Sequence, residues 1–304
     1  MSKLTKVVQM ILKNNFDLAP NAKILVLGDT SKSELAKDFY QALLDLDKNA
    51  YYIEMPDRER SGEEPPPEIS ESWMQHSIIF CITKHSLTHT HARKSANKAG
   101  IQVITMPGIT EDMFLNGAMN ADYSRVEVET LEMTDKLTKA TSVSIFTGDG
   151  KYSLDVPLQG RSGVPSTGVF KTSGASGNLP SGEAYIAPVE YQSSGQILIN
   201  GSIAGIGLVK DPVLLTVVDG RLVEASGEQG AALLSILGDG DGRTLCELGI
   251  GTNHAARITG LILEDEKAYD SIHIAFGSNH TFGGIISTNV HIDCVTKYSK
   301  LVWH

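Results

Sequence analysis

The sequence predicts an α/β amino-terminal domain with a mostly parallel sheet, followed by a β-rich α+β carboxy-terminal domain. In the first half, short apolar runs alternate with segments of helical periodicity, which is typical of parallel strands covered by helices. Beyond residue 142 the apolar runs become shorter and are separated by glycine, serine and aspartate, which indicates a domain built mainly of strands. We therefore predict one domain over residues 1–141 and a second over 142–304.

The elements of the first half follow from these patterns. The apolar runs predict strands at 23–27, 50–54, 77–83 and 101–106, and helical spacing of apolar residues predicts helices at 1–16, 33–45 and 89–99. Residues 57–70 contain three consecutive prolines and many glutamates, and therefore lack the apolar area that an element must bury. We expect a mobile surface loop there.

The second half contains β-like runs and one segment of helical spacing. Strands are predicted at 143–146, 184–189, 195–199, 213–218, 221–225 and 272–276, and a helix at about 229–237. A chain of 304 residues can bury a full core in two such domains without disulfide bonds.

Charge and cysteine usage restrict the partners and the compartment. The formal net charge of −10 and the absence of a lysine and arginine cluster argue against a nucleic-acid partner, so a peptide or small-molecule substrate is favoured. Three cysteines within apolar runs are typical of free thiols in a reducing compartment, which predicts a cytoplasmic protein. No run approaches the roughly 20 apolar residues that span a bilayer, so no membrane association is expected.

Two motifs of the first half favour structural interpretations. Gly28 and Asp29 follow a predicted strand, where a dinucleotide-binding domain has its glycine-rich turn, but the second and third glycines of that fingerprint are missing. An ordinary turn between strand and helix is the favoured interpretation. His85, His89 and His91 lack an acidic or cysteine partner for a metal, and a surface loop that leads into a helix is favoured for them.

Isolated polar residues in apolar or glycine-rich sequence mark the last third of the chain. They are Glu247, His273, His291 and Asp293. Residues two apart on a strand share a face, so His291 and Asp293 point together. An unpaired buried carboxylate and imidazole cost roughly several kcal/mol, which a divalent metal ion would compensate. The alternative is that each is a core residue bonded to the backbone.

Glu183 precedes an apolar strand and is flanked by glycine, and its spacing alone predicts an exposed turn residue. Added to the other four residues it gives three carboxylates and two imidazoles. This donor set suits zinc, cobalt, manganese or iron, as one ion or as two ions a few ångströms apart. The acidic run 264–266 with Lys267 is interpreted as a solvated turn.

Several motifs of the second half resemble the metal-binding half of the aminopeptidase T (M29) family. They occur in order at 177–188, 247–253, 256–260, 263–267, 273–277 and 291–293. The segments 86–93 and 106–110 are similar to short homologues of that family. The resemblance implies a metallopeptidase that removes amino-terminal residues from peptides, acts as a homodimer, and holds its metals with Glu183, Glu247, His273, His291 and Asp293.

For such a hydrolase the resemblance implies that metal-bound water is the nucleophile. Glu183 or Glu247 would accept its proton, and Arg257 or His280 would help to bind the substrate. His280 stands near the position where the family has a catalytic tyrosine, and a histidine can also donate a hydrogen bond to a carbonyl oxygen.

The chain also resembles the 2,5-dihydroxypyridine 5,6-dioxygenases, which hold one ferrous ion with two histidines and an aspartate. His291 and Asp293, with His273 or His254, would supply that triad. The presence of both Glu183 and Glu247 favours hydrolysis, because a dioxygenase needs open coordination positions. A third possibility is a non-catalytic member that binds a partner through the acidic loop at 57–70.

Overall fold

The computed structural model describes residues 1–304, which form two compact units. The first unit comprises Met1–Ser124 and Gly168–Ser181, and the second comprises Arg125–Thr167 and Gly182–His304. The chain thus leaves the first unit at Ser124 and returns to it for one short segment. The sequence-based boundary at residue 141 did not include this return.

Eight α-helices and eighteen strands follow one another along the chain. Up to residue 139 they are α1 (Lys3–Asn15), β1 (Lys23–Asp29), α2 (Ser33–Asp45), β2 (Asn49–Met55), α3 (Pro67–Trp73), β3 (Ile78–Ile82), α4 (His91–Lys98), β4 (Gln102–Thr105), α5 (Glu111–Leu115) and α6 (Tyr123–Lys139). Then come β5 (Ser142–Thr147), β6 (Tyr152–Pro157), β7 (Val164–Ser166), β8 (Ser176–Asn178), β9 (Glu183–Ile186), β10 (Ser194–Ile199), β11 (Ser202–Ile203), β12 (Gly207–Leu208), β13 (Val213–Val218), β14 (Arg221–Ala225), α7 (Gly227–Leu237), β15 (Leu245–Gly251), α8 (Ile262–Asp265), β16 (Ser271–Gly277), β17 (His291–Lys297) and β18 (Lys300–Trp303). None of these helices has the length and apolar character that a bilayer crossing requires.

The first unit contains a five-stranded sheet in the order β2-β1-β3-β4-β8, and every pair in it is parallel. The predicted parallel sheet is therefore confirmed. All five residues of β3 are buried, as expected for a central parallel strand. The added strand β8 lies in the returning segment, where Ser176 pairs with Val103 of β4.

The prediction of a loop over residues 57–70 is wrong at its end. Helix α3 begins at Pro67, and it buries Ile69 and Trp73. A proline at the first helical position has no amide hydrogen to leave unpaired, and two apolar residues four apart share one helix face. The acidic, proline-rich composition of this segment did not indicate the short amphipathic helix.

The second unit contains two antiparallel sheets. One has six strands in the order β14-β13-β10-β6-β5-β18, and the other has seven in the order β12-β11-β17-β16-β15-β9-β7. A single buried apolar cluster includes side chains from both sheets, such as Val143 and Ile197 of one and Ile186 and Ile274 of the other. The strands predicted for this half are present, and the predicted helix lies within α7.

The middle of the seven-stranded sheet has two chemically different faces. Leu248, Ile274 and Cys294 lie on the face that packs in the apolar cluster. The alternating positions of the same strands include the acids Glu247 and Asp293, the imidazole of His273 and Gly249. The three cysteines are buried and free, as predicted.

Candidate metal centre

Four adjacent strands bring the five predicted ligands to one region of the seven-stranded sheet. Glu247 of β15 pairs with Ala275 of β16, which pairs with Asp293 of β17. In the same way His273 lies opposite Gly249, His291 opposite Gly277, and Glu183 of β9 opposite Gly251. Because side chains alternate across a strand, all five project from the face opposite the apolar core.

Glycine on β15 provides the space for one imidazole. A Cβ atom at Gly249 would lie 2.0 Å from Cε1 and 2.1 Å from Nε2 of His273. No other residue at this position would leave the ring where it is. The ring of His273 therefore lies across β15 and reaches the carboxylate of Glu247.

Glu247 lies between the two imidazoles. Its Oε1 is 3.3 Å from His273 Nε2 and its Oε2 is 3.3 Å from His291 Nε2. Asp293 Oδ1 is 3.4 Å from His291 Nε2. Ligand atoms of Glu247, His273 and Asp293 lie within 4.8 Å of one another, close enough to share one cation.

The orientation of His291 is set by a backbone carbonyl. Its Nδ1 lies 2.8 Å from the carbonyl oxygen of Ser278, to which it donates a hydrogen bond. In the neutral ring Nε2 then carries the lone pair and faces two carboxylates. That contact is repulsive unless the ring takes a proton or a cation binds between them. A backbone acceptor on the far nitrogen is the usual arrangement for a metal-bound histidine.

Two buried polar atoms at the centre have no hydrogen bond. They are Nδ1 of His273 and Oδ1 of Asp293. The oxygen lies 3.4 Å from His291 Nε2 and forms no hydrogen bond with it. A buried carboxylate oxygen without a hydrogen bond, together with the Nε2 atoms of His273 and His291 that face carboxylates, fits a divalent ion such as iron, zinc, cobalt or manganese.

Glu183 has a different partner. Its Oε1 is 2.8 Å from Nζ of Lys267, which also pairs with Glu266. Its Oε2 is 3.7 Å from His273 Nε2, and Glu183, Glu266 and His273 form a second group that could hold an ion. The Lys267 ammonium already supplies one positive charge to the two acids of that group.

Two sequence-based expectations are therefore wrong. Glu183 is buried, although its spacing predicted an exposed turn. The segment 264–267 is not a solvated turn, because Glu264, Asp265 and Lys267 are each 0% exposed. Both errors arose because charged residues next to glycine or to one another are usually at the surface, and here they neutralise each other in the interior.

Local bonds explain how so many charges become buried. Asp265 accepts hydrogen bonds from the amides of Thr259 and Gly260, at 2.7 and 2.8 Å. The Arg257 guanidinium donates to Glu264 at 3.1 and 3.2 Å. A Cβ at Gly251 would lie 2.1 Å from the Ala268 carbonyl oxygen, so this glycine permits the segment to pack on β15.

The pKa values of the buried groups are shifted by burial and by the charges of their neighbours. Burial opposes the charged form of His273, but the hydrogen bond with Glu247 and the charge of Glu183 prevail and raise its pKa to about 9. Burial likewise opposes the charged form of Asp293, and the nearby His291 outweighs it and lowers the pKa of Asp293 to about 2. Burial raises the pKa of Glu266 to about 8, despite the charge of Lys267.

The other predicted residues have partners away from these ligands. Arg257 binds Glu264. The exposed His280 has its Nδ1 3.0 Å from the hydroxyl of Ser278. His254 lies 2.7 Å from Glu129 and stacks on Tyr269. Their proposed roles in substrate binding or metal binding stay predictions.

The sequence reasoning did not identify an aromatic pair beside the ligands. Tyr185 follows Glu183 by two residues on β9, and its ring lies edge-on to that of Phe282, with centroids 5.4 Å apart. Phe282 in turn lies edge-on to His291, at 6.1 Å. Burial and then the charges of Glu247 and Glu183 raise the pKa of Tyr185 above its ordinary value. The two-residue spacing from Glu183 was the available signal for Tyr185, whereas nothing local marked Phe282.

Comparisons with known proteins agree with this fold. The model of the NicX family, 2,5-dihydroxypyridine 5,6-dioxygenase, matches residues 3–301. The solved 2,5-dihydroxypyridine dioxygenase of Pseudomonas putida KT2440 superposes with a TM-score of 0.81 at 16% identity, over 99% of this chain and 94% of that chain. AmpT of Thermus thermophilus has a TM-score of 0.69 at 16% identity, with the same coverages. No curated protein matches the sequence. Both resemblances found from the sequence motifs are thereby confirmed.

Proposed function

This chain belongs to the 2,5-dihydroxypyridine 5,6-dioxygenase family, and on that premise we propose that it is a mononuclear iron enzyme that opens a hydroxylated nitrogen-containing aromatic ring. The observation that carries the proposal is the set of ligand atoms around Glu247. His273, His291 and Asp293 are the two imidazoles and one carboxylate typical of ferrous oxygenases.

The charge of the site supports one divalent ion. The carboxylates of Glu183, Glu247, Glu266 and Asp293 lie around the two imidazoles, and the only ammonium group paired with them, that of Lys267, contacts Glu183 and Glu266. These four carboxylates outnumber the single ammonium group, and a divalent cation would compensate the excess of negative charge. Lys267 already compensates the acids of the second group, so Glu183 is less available as a ligand of a second metal ion.

The residues have distinct proposed roles. His273, His291, Asp293 and, as a further donor, Glu247 would hold the metal, with the Ser278 carbonyl fixing the tautomer of His291. A bound ferrous ion supplies the chemistry that allows dioxygen to react with an aromatic ring. Glu183, held by Lys267, would accept the proton that a ring hydroxyl loses on binding.

The test is loading of the metal-free protein with ferrous ion under anaerobic conditions, followed by 2,5-dihydroxypyridine and air. We expect uptake of dioxygen in proportion to the ring consumed. The product should contain both oxygen atoms of the dioxygen molecule. The His291→Ala variant is the control for adventitious iron. Bound iron at this site together with an unchanged ring and no oxygen uptake would contradict the proposal.

Metallo-aminopeptidase activity is the second candidate. It is favoured by the contacts of Glu183 and Glu247 with His273 and of Glu247 with His291. A carboxylate beside metal-bound water is what a hydrolase of this kind needs. Release of nitroaniline from aminoacyl anilides by the zinc-, cobalt- or manganese-loaded protein, without any oxygen uptake by the iron-loaded protein, would favour this candidate.

A further inference from the structure

One ligand of the candidate centre is open to solvent. The His291 side chain is 32% exposed, whereas those of His273, Glu183, Glu247 and Asp293 are between 1% and 11% exposed. A substrate would therefore approach from the side of His291. Phe282 lies on that side, with its ring edge-on to the imidazole.

The loop that carries Phe282 is held by buried polar groups. It connects β16 to β17, and Glu190 anchors it from outside. Oε1 of Glu190 accepts hydrogen bonds from the Asn279 side chain at 3.0 Å and from the Ile285 amide at 2.9 Å. Its other oxygen pairs with Arg161, which also donates to the Gly283 carbonyl.

Asn279 closes the loop from within. Its Oδ1 accepts from the Ile286 amide at 2.9 Å, and its backbone carbonyl accepts from Phe282 and Gly284. A Cβ at Gly284 would lie 1.9 Å from the Asn279 side chain, so the loop folds tightly around this amide. The position of Phe282 is thus determined by a bonded network and not by its own packing alone.

Tyr185 provides the second aromatic surface. Its ring contacts Phe282, and its strand position places it on the same face as Glu183 and beside Gly249 of β15. An aromatic pair between the solvent-exposed ligand and the buried carboxylates offers edges and faces to a flat ring. An aliphatic substrate would gain much less from this surface.

We propose that Tyr185 and Phe282 form the substrate-binding wall of the metal centre and select planar aromatic rings, with Glu190 as the residue that positions the wall. The inference rests on the proposed function in that the ring is taken to bind at the metal. It goes beyond the proposed function because it assigns ring selection to two side chains that are not ligands.

The test uses binding and not turnover. The zinc-loaded protein, which does not perform oxygen chemistry, is titrated anaerobically with 2,5-dihydroxypyridine and, separately, with acetohydroxamate, a metal-binding anion without a ring. We expect Phe282→Ala to raise the Kd for the pyridine about tenfold and Phe282→Tyr to restore it. The Kd for acetohydroxamate should not change in either variant.

The matched control is Ile285→Ala, because Ile285 lies on the same loop and the residue is 72% exposed. It should leave both constants unchanged. Glu190→Gln keeps the size of the anchor and removes its charge, and it should weaken pyridine binding while zinc content stays the same. Equal Kd values for the pyridine in the wild type and Phe282→Ala, with folding intact, would overturn the inference.

This result and that of the oxygenase test are separable. If the iron-loaded protein consumes no oxygen but Phe282→Ala still weakens the binding of the pyridine, the substrate-binding role of Phe282 is supported and the dioxygenase proposal is contradicted. If oxygen is consumed and Phe282→Ala leaves pyridine binding unchanged, the dioxygenase proposal is supported and the substrate-binding role of Phe282 is contradicted.

Discussion

Two regions of the molecule bury acidic side chains on strands, and they differ in whether the carboxylate oxygens are hydrogen-bonded. In the parallel sheet, Asp29 at the end of β1 is 1% exposed, and its two oxygens accept hydrogen bonds from the amides of Lys32 at 3.1 Å and Lys84 at 2.6 Å. In the antiparallel sheet, Asp293 keeps one oxygen without any hydrogen bond.

The difference shows how a structural acid and a ligand can be distinguished. Asp29 binds the backbone of two loops where some α/β folds bind a phosphate, which agrees with the interpretation of Gly28 and Asp29 as an ordinary turn. Asp293, Glu247 and His291 instead direct acceptor atoms at one another. Such an arrangement is stable only when a proton or a metal ion compensates it.

Removal of a ligand should have the largest effect. We expect His291→Ala or Glu247→Ala to weaken metal binding by at least about 100-fold, since even residues that only support ligands contribute 10–100-fold. Metal analysis after dialysis measures this loss. His76→Ala, in the parallel-sheet unit, is the control, and this variant should have the metal content of the wild type. Full metal content in both ligand variants would eliminate the site.

The second largest effect on metal binding is expected for Gly249→Ala, because the added Cβ would displace the His273 ring. A loss of metal affinity of about 10–100-fold is expected, the range found when ligand orientation is disturbed. The comparable change in the other unit is Gly28→Ala, whose Cβ would lie 2.7 Å from that of Ala36. It should cost about 1–3 kcal/mol of stability by overpacking and leave metal binding intact. Isothermal titration and chemical unfolding of both variants separate the two effects.

Metal removal should make stability depend on pH in a defined direction. Without metal, the pKa of His273 is raised from 6.5 to about 9, so the stability from its protonated ring is complete below pH 6.5 and is lost as pH rises through 9. Metal needs the neutral ring, and saturation at a thousand times Kd adds about 4 kcal/mol. The difference in Tm between metal-bound and metal-free protein should therefore widen from pH 6.5 to 9. A constant difference would contradict this.

The smallest effect on metal binding is expected at Asp29, whose carboxylate is already hydrogen-bonded to backbone amides. Asp29→Ala removes the acceptor of two amides and should reduce stability by about 1–3 kcal/mol. Metal content should match that of the wild type. A loss of metal in this variant would show that the two regions are not independent, and thermal unfolding with metal analysis checks both points.

Much of this arrangement could be predicted from the sequence. The alternation of apolar residues indicated the strands, and the isolated acids and imidazoles among them indicated four candidate ligands, Glu247, His273, His291 and Asp293. Glu183, whose spacing predicted an exposed turn, was added by the resemblance to the M29 family, and all five lie together in the structure. These are local signals, because the two-residue period of a strand assigns each side chain to a face without knowledge of its neighbours.

Other features were decided only by tertiary structure. The burial of Lys267 between Glu183 and Glu266, the return of β8 to the parallel sheet and the contact of Phe282 with His291 each join residues that are distant in sequence or that lie in loops. For Lys267, the acidic composition of residues 264–266 indicated a solvated turn. Sequence period fixes the face of a strand residue, but the register between strands and the docking of loops depend on long-range packing and on mutual neutralisation of charge, which no local pattern records.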